Sequence, residues 1–125
     1  MPLHRILLID DDDLLAGLLR HELTRNEFVV TVAPEGWAGL TAANMERPDV
    51  ILLDGNMPGL DGSEVLRRLK RDEWTRDIPV IMMTARRQQD DVTRELKRGA
   101  DDYIVKPVTV EALVARIYRL LYRET

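Results

Sequence analysis

Five short apolar stretches, rich in β-branched residues, recur along the chain and restrict its fold more than any other feature. They occupy residues 5–10, 28–33, 50–54, 80–84 and 103–105. Each has the length of a strand, and each is nearly continuous in apolar character rather than alternating. Such strands are buried on both faces, which requires a parallel sheet between layers of helices. The segments between them carry helical spacing. Leu15, Leu18, Leu19 and Leu23 share a face, and Trp37 and Leu40 begin a second. Val65, Leu66 and Leu69 form a third, Val92 and Leu96 mark a fourth, and Leu113, Ile117, Leu120 and Leu121 form the last. The expectation is an α/β, doubly wound (βα)5 three-layer sandwich with right-handed crossovers. Strands are expected near 5–10, 28–33, 49–54, 79–84 and 102–106, and helices near 13–25, 35–46, 63–71, 88–98 and 109–123.

Punctuation supports these boundaries. One aspartate of the run Asp11 to Asp13 can cap the first helix, and Thr109 the last. Asn26 and Gly99 stand where a left-handed residue would end a helix. Asp61-Gly62 makes a turn before the third helix. Pro79 opens a strand, where its missing N–H is tolerated. No repeat, low-complexity tract or linker interrupts the pattern, so residues 1–125 are read as a single domain.

Composition narrows the function classes. With 18 basic and 22 acidic side chains the formal net charge is −4, which gives no electrostatic reason to contact DNA or an anionic membrane directly. The basic cluster Arg67, Arg68, Lys70 and Arg71 reads as a solvated helix face, because no aromatic residues interleave with it. The absence of cysteine excludes a disulfide frame, thiolate metal ligands and thiol nucleophiles, and fits a reducing compartment. The N-terminal apolar run is too short for a signal peptide or a membrane span. A cytoplasmic location is expected.

In open parallel sheets, ligands bind outside the C-terminal ends of the strands. There the sequence supplies Asp10 to Asp13 after the first strand, Asp54 after the third, Thr84 after the fourth, and Lys106 followed by Pro107 after the fifth. Alone, Asp54 would be a turn cap, Thr84 a strand end and Lys106 a surface lysine. Together they reverse that preference. Several carboxylates at one rim repel one another and call for a hard cation, for which magnesium suits one or two carboxylates. Asp10 and Asp11 are assigned to that metal, and Asp12 or Asp13 to the helix cap. Thr84 can donate to an anion on Asp54. Pro107, in the cis form, would aim Lys106 at the same place. A carboxylate, a divalent cation, an ammonium and a hydroxyl suit phosphoryl transfer to Asp54. There is no Gly-rich P-loop for ATP and no dinucleotide fingerprint, so the phosphoryl group must come from a partner or a small donor.

Five segments carry a resemblance to a known family. They are Ile6-Leu7-Leu8-Ile9-Asp10-Asp11-Asp12, Asp49-Val50-Ile51-Leu52-Leu53-Asp54, Met57-Pro58-Gly59-Leu60-Asp61-Gly62, Ile78-Pro79-Val80-Ile81-Met82-Met83-Thr84-Ala85 and Gly99-Ala100-Asp101-Asp102-Tyr103-Ile104-Val105-Lys106-Pro107. In this order and spacing they strongly resemble the receiver domains of bacterial response regulators. The resemblance implies a flavodoxin-like strand order of 2-1-3-4-5. It implies that Asp54 accepts a phosphoryl group from the phosphohistidine of a histidine kinase or phosphotransfer protein. Asp11, Asp54 and the backbone carbonyl of Asn56 would hold Mg2+, with Mn2+ as a substitute, and Asp10 would act through bound water. Lys106 would pair with the phosphoryl group, Thr84 would turn toward it, and Tyr103 would move inward. Ala85 would leave room, while Asn56 and Arg86 would tune rates. The signal would emerge on the surface of the fourth helix, fifth strand and last helix, toward an effector domain or partner. The domain would assist its own phosphorylation and dephosphorylation without being a turnover enzyme.

The sequence departs from the family in places. Val108 follows Pro107 where an aromatic residue or leucine is common. The last helix resembles that of receivers that dimerise through the same output surface. Asp102 and Arg116 match one ion pair of that interface, whereas Val92 and Ala112 stand where another charged pair is usual. Two rival readings use the same fold. A pseudo-receiver would dock partners without phosphorylation, but such chains lack part of the set Asp10, Asp11, Asp54, Thr84 and Lys106. A flavin enzyme would need a hydroxyl- and glycine-rich loop where this chain has four aspartates. A phosphatase of the haloacid-dehalogenase type would want a second aspartate where Asn56 stands.

Overall fold

A computed structural model describes residues 3–85, 96 and 99–123. Its strands are β1 (Arg5–Ile9), β2 (Val29–Ala33), β3 (Val50–Asp54), β4 (Val80–Thr84) and β5 (Asp102–Val105). Its helices, numbered as they occur among the described residues, are α1 (Asp13–Arg25), α2 (Gly36–Glu46), α3 (Gly62–Arg71) and α4 (Val110–Leu121). The strands form one parallel sheet in the order β2-β1-β3-β4-β5. This is the doubly wound α/β arrangement expected. The expected helix near 88–98, with Val92, lies outside the described residues.

The continuous apolar strands are explained by two cores. Ile6, Leu8, Val50, Leu52, Ile81 and Met83 face α1 and α4. Their neighbours Leu7, Ile9, Ile51, Leu53, Val80 and Met82 face α2 and α3. Because successive side chains in a strand point to opposite faces, both sets must be apolar. No helix among the described residues is long and apolar enough to cross a membrane.

Several local expectations are corrected. Leu18 is 58 % exposed, and the buried face of α1 is Ala16, Leu19 and Leu23, with Leu15 partly covered. Trp37 is also turned outward, 54 % exposed. The buried residues of α2 are Gly36, Gly39 and Ala43, so this helix meets the sheet through small side chains and packs closely on Ile9. Asn26 is not left-handed. Its side-chain amide donates to the Glu22 carbonyl at 2.9 Å, and the left-handed turn falls on Glu27, at φ +68°. Gly99 has the expected positive φ, +110°. The caps of α1 and α4 are Asp12 and Thr109, and Asp61 caps α3 through the Glu64 N–H.

Two glycines make the packing testable. A Cβ at Gly62 would lie 2.7 Å from the Gly55 Cα and collide with the Asp54 carbonyl oxygen, whereas one at Gly17 would meet open space. Gly62→Ala should lower stability by about 1–3 kcal/mol through overpacking. Gly17→Ala, in the exposed middle of α1, should raise it by about 0.5–1 kcal/mol. Urea unfolding of both variants checks the pair; equal effects would show that α3 does not press on β3.

Candidate functional site

The end of β1 turns abruptly from apolar to acidic. Asp10 is wholly buried, and its backbone N–H continues the sheet ladder to the Ala33 carbonyl at 3.1 Å. Its Oδ1 accepts the Asp12 N–H at 2.9 Å. Its Oδ2 is buried without a hydrogen-bond partner among the described residues. Asp12 caps α1: its Oδ1 accepts the Leu14 and Leu15 N–H groups, each at 3.1 Å. The cap thus falls on Asp12, one of the two residues expected for it.

Asp54 closes β3 and is 2 % exposed. Its Oδ1 accepts the Asn56 N–H at 3.1 Å and the Lys106 ammonium at 3.2 Å. Lys106 arrives there through strand register. Thr84 pairs with Val105, and the Lys106 N–H extends the ladder to the Thr84 carbonyl at 2.8 Å. The Lys106–Pro107 bond is cis. The same ammonium is 3.9 Å from Asp10 Oδ2, within ion-pair range but too far for a hydrogen bond.

Asp11 is exposed at the rim, and one carboxylate oxygen each from Asp10, Asp11 and Asp54 lie within 4.8 Å of one another. The Asp11 carboxyl is pushed above its ordinary value. Partial desolvation at the rim raises it first; the hydrogen bond with Asp54 and that residue's negative charge raise it further, and Lys106 opposes them. The donor set suits a hard divalent cation. Among the described residues three carboxylates meet one ammonium, and Asp10 Oδ2 is a buried acceptor without a hydrogen-bond partner, which a cation, a donor or water would satisfy.

The remaining expected residues fall into place unequally. Thr84 is buried, and its Oγ1 accepts a hydrogen bond from the Asn56 side-chain amide at 3.1 Å. Sequence reasoning gave Asn56 only a backbone carbonyl and a rate-tuning role; its amide contact with Thr84 was not foreseen. The only sequence signal was its place two residues after Asp54. Gly55 packs beside the Thr84 side chain, where an added Cβ would lie 3.2 Å from the Thr84 Cβ. Tyr103, opposite Met82, is buried in the core under α2 and α3. Ala85 is exposed at the end of β4, and Arg86 lies outside the described residues. Asp102 and Arg116 pair within the chain, at 2.7 Å.

A sign follows from the raised Asp11 carboxyl. The folded protein holds that proton more tightly than the unfolded chain does. The associated stability is therefore full below pH about 4 and is lost as pH rises through the folded-state value. In metal-free protein at neutral pH, Asp11→Asn should be slightly more stable than the parent, by less than about 1 kcal/mol because the group is exposed. The difference should vanish at acidic pH. Saturating Mg2+ should stabilise the parent by about 2.7 kcal/mol at a hundredfold excess over Kd and reverse the ranking. Thermal melts with and without chelator check this; equal melting points throughout would mean that the acids do not repel.

Comparison with known proteins agrees with the geometry. A family model described as the response regulator receiver domain matches residues 6–118. The chain is 45 % identical over 118 residues to the transcriptional regulatory protein CseB of Streptomyces coelicolor, covering 94 % of this chain and 49 % of that protein. It is 40 % identical over 119 residues to the phosphate regulon transcriptional regulatory protein PhoB of Escherichia coli, covering 95 % and 52 %. The chain thus spans about half the length of the curated relatives it matches. Among solved structures, the receiver domain of sensor histidine kinase PA1611 from Pseudomonas aeruginosa PAO1 superposes with a TM-score of 0.89 at 29 % identity, covering 97 % of this chain and 99 % of that one. That structure has a magnesium ion coordinated in its active-site cleft. The chain belongs to the response regulator receiver domain family of two-component signalling.

Proposed function

We propose that the protein is a phosphorylation-dependent switch in which Asp54 accepts a phosphoryl group from the phosphohistidine of a histidine kinase or phosphotransfer protein. The observation that carries this reading is the Asp54 carboxylate, almost fully buried yet 3.2 Å from the Lys106 ammonium and within 4.8 Å of two more acids. A structural aspartate would need one partner; this one sits among groups of both signs arranged around a single point. Asp10, Asp11, Asp54 and the Asn56 backbone carbonyl would hold Mg2+, or Mn2+ in its place, which supplies charge neutralisation for phosphoryl transfer. Asp10, being fully buried, would reach it through water.

The chain's own residues do the rest. Lys106 balances charge on Asp54 before transfer and on the phosphoryl oxygens after it. Thr84 can donate its hydroxyl proton to a phosphoryl oxygen while still accepting from Asn56, because a hydroxyl does both. Ala85 leaves the approach open, and Asn56 and Arg86 stand where they would govern water access and hence lifetime. A phosphoryl group adds roughly −1.5 to −2 charge. Drawing Thr84 and Tyr103 toward the site would remodel the surface of β5, α4 and the helix expected near 88–98, which would carry the signal to an effector domain or partner, or to a second copy. The relatives' names support a transcriptional output. A cytoplasmic location follows from such partners, and the domain itself would contact neither DNA nor membrane through this site. It would aid its own phosphorylation and hydrolysis without turning over another substrate. The alternative, a docking module that is never phosphorylated, leaves the complete acid–lysine–threonine set without a purpose.

Acetyl phosphate with Mg2+ should add one phosphoryl mass to the protein. Asp54→Asn should abolish the gain while leaving the melting curve close to that of the parent. Absence of labelling and of any chemical-shift response to beryllofluoride would favour the docking module; equal labelling of the variant would move the acceptor elsewhere.

A further inference from the structure

Both tryptophans of the chain stand on the outer side of α2 and α3. Trp37 projects from α2 and Trp74 from the turn after α3, and each is 54 % exposed. Each carries an arginine on its ring: the Arg68 guanidinium lies 4.8 Å from the Trp37 ring centre, and that of Arg47 lies 4.3 Å from the Trp74 ring centre. The two halves are joined. Trp74 Nε1–H donates to the Asn44 carbonyl of α2 at 3.1 Å, and its backbone N–H donates to Asp72 Oδ1 at 2.9 Å. Asp72 in turn lines a depression of about 380 Å³ together with Arg67, Arg68 and Arg71. The basic cluster read from sequence as a plain solvated face therefore does have aromatic company: Trp37, distant in the chain, stacks on Arg68.

Its charge is not balanced internally. Glu64 is bound by Arg67 at 2.7 Å and by Arg68 at 2.9 Å, and the Arg67 hydrogen bond above all holds its carboxyl below the ordinary range. Lys70 turns away to Asp101 and two backbone carbonyls. Arg47 and Arg71 make no ion pair among the described residues. Tryptophan and arginine are the residue types that dominate binding hot spots, and both are enriched in protein interfaces. Arginine stacked on a ring is also partly ordered before any partner arrives, which lowers the entropy lost on binding. An acidic protein carrying a net charge of −4 gains nothing in solubility from exposing two large rings among unpaired arginines.

We propose that the α2–α3 face is a docking surface for an acidic protein segment, with Trp37 and Trp74 as its apolar anchors and Arg47 and Arg71 as its charge partners. The occupant should carry two or more carboxylates flanking an aliphatic or aromatic residue: the carboxylates complement the two unpaired guanidiniums, and the apolar residue covers the rings. A single-stranded nucleic acid would also stack and pair with such groups. Glu64, bonded to Arg67 and Arg68, and Asp72, which shares the depression with Arg71, would repel a continuous phosphate backbone and argue for a partner with localised negative charges.

The test is selection of a random dodecapeptide display library on the 125-residue chain and, in parallel, on the double variant Arg47→Glu/Arg71→Glu. The parent should enrich acidic sequences with an apolar residue, and the variant should not. Fluorescence anisotropy with the enriched peptide should then show at least about tenfold weaker binding for Trp74→Ala, rescue by Arg71→Lys relative to Arg71→Glu, and weakening as salt rises. Unchanged melting curves would establish that these surface variants fold. Enrichment of the same peptides by parent and double variant, enrichment of no acidic sequence, tighter binding of oligodeoxythymidine than of any recovered peptide, or concentration-dependent self-association through this face would each overturn the proposal.

Discussion

The carboxylates of Asp10, Asp11 and Asp54 crowd together at one sheet edge, and among the described residues Lys106 is the one cation paired with them, too little to neutralise three charges. The rest of the fold can be understood as the frame that enforces this crowding. β1 and β3 are neighbours in register from Ile6 opposite Val50 to Ile9 opposite Leu53, so the acids that follow them must meet. β4 and β5 lie on the other side of β3 and deliver Thr84 and Lys106 to the same edge. A slip of one residue in β5 would turn every side chain of that strand to the opposite face. The buried apolar rows that fix register thus also fix the Lys106–Asp54 pair.

What the sequence disclosed follows the same division. Strands were legible because burial on both faces leaves an unmistakable apolar run, and the site acids were legible because charge at the end of such a run has no packing purpose. Helix faces were less so. Apolar spacing put Leu18 and Trp37 inside, yet α1 and α2 approach the sheet through Ala16, Gly36, Gly39 and Ala43. Close approach selects small residues, and small residues leave little hydrophobic signal. The Asn56–Thr84 contact spans 28 positions between two strand ends and depends on side-chain rotamers, which no local pattern encodes. The pairing of Trp37 with Arg68 and of Trp74 with Arg47 was hidden for the same reason.

Magnitudes limit how the proposed switch can work. Moving a two-state equilibrium from mostly one form to mostly the other needs about 5.5 kcal/mol of differential stabilisation. One hydrogen bond from Thr84 to a charged acceptor contributes roughly 1.5–3 kcal/mol. Thr84 alone therefore falls short, and re-pairing of Lys106 must contribute too. Lys106 is bonded to Asp54 already, so its differential effect is the change from a carboxylate to a more highly charged group. Because a hydroxyl both donates and accepts, the Asn56 contact need not be broken when Thr84 donates.

Helix α3 separates the two surfaces. At its start, Gly62 presses on the Asp54 carbonyl, and its later residues carry Arg68 and Arg71 on the outer face. Near its end, the Lys70 ammonium bonds the Arg76 carbonyl at 3.1 Å, the Ile78 carbonyl at 2.9 Å and Asp101 at 3.2 Å. Asp101 also accepts the Val80 N–H at 2.8 Å, which ties this knot to the entry of β4. A half-buried ammonium with three acceptors holds the C-terminal part of α3 in one arrangement. Proximity to a switch does not make an element part of it; a second stable arrangement is required. The three acceptors at Lys70 weigh against such an alternative for the outer face, whereas a phosphoryl group on Asp54 would offer Thr84 and Lys106 new acceptor oxygens. On this reading the α2–α3 face supplies constant recognition, and the signal leaves through the β5 side of the sheet.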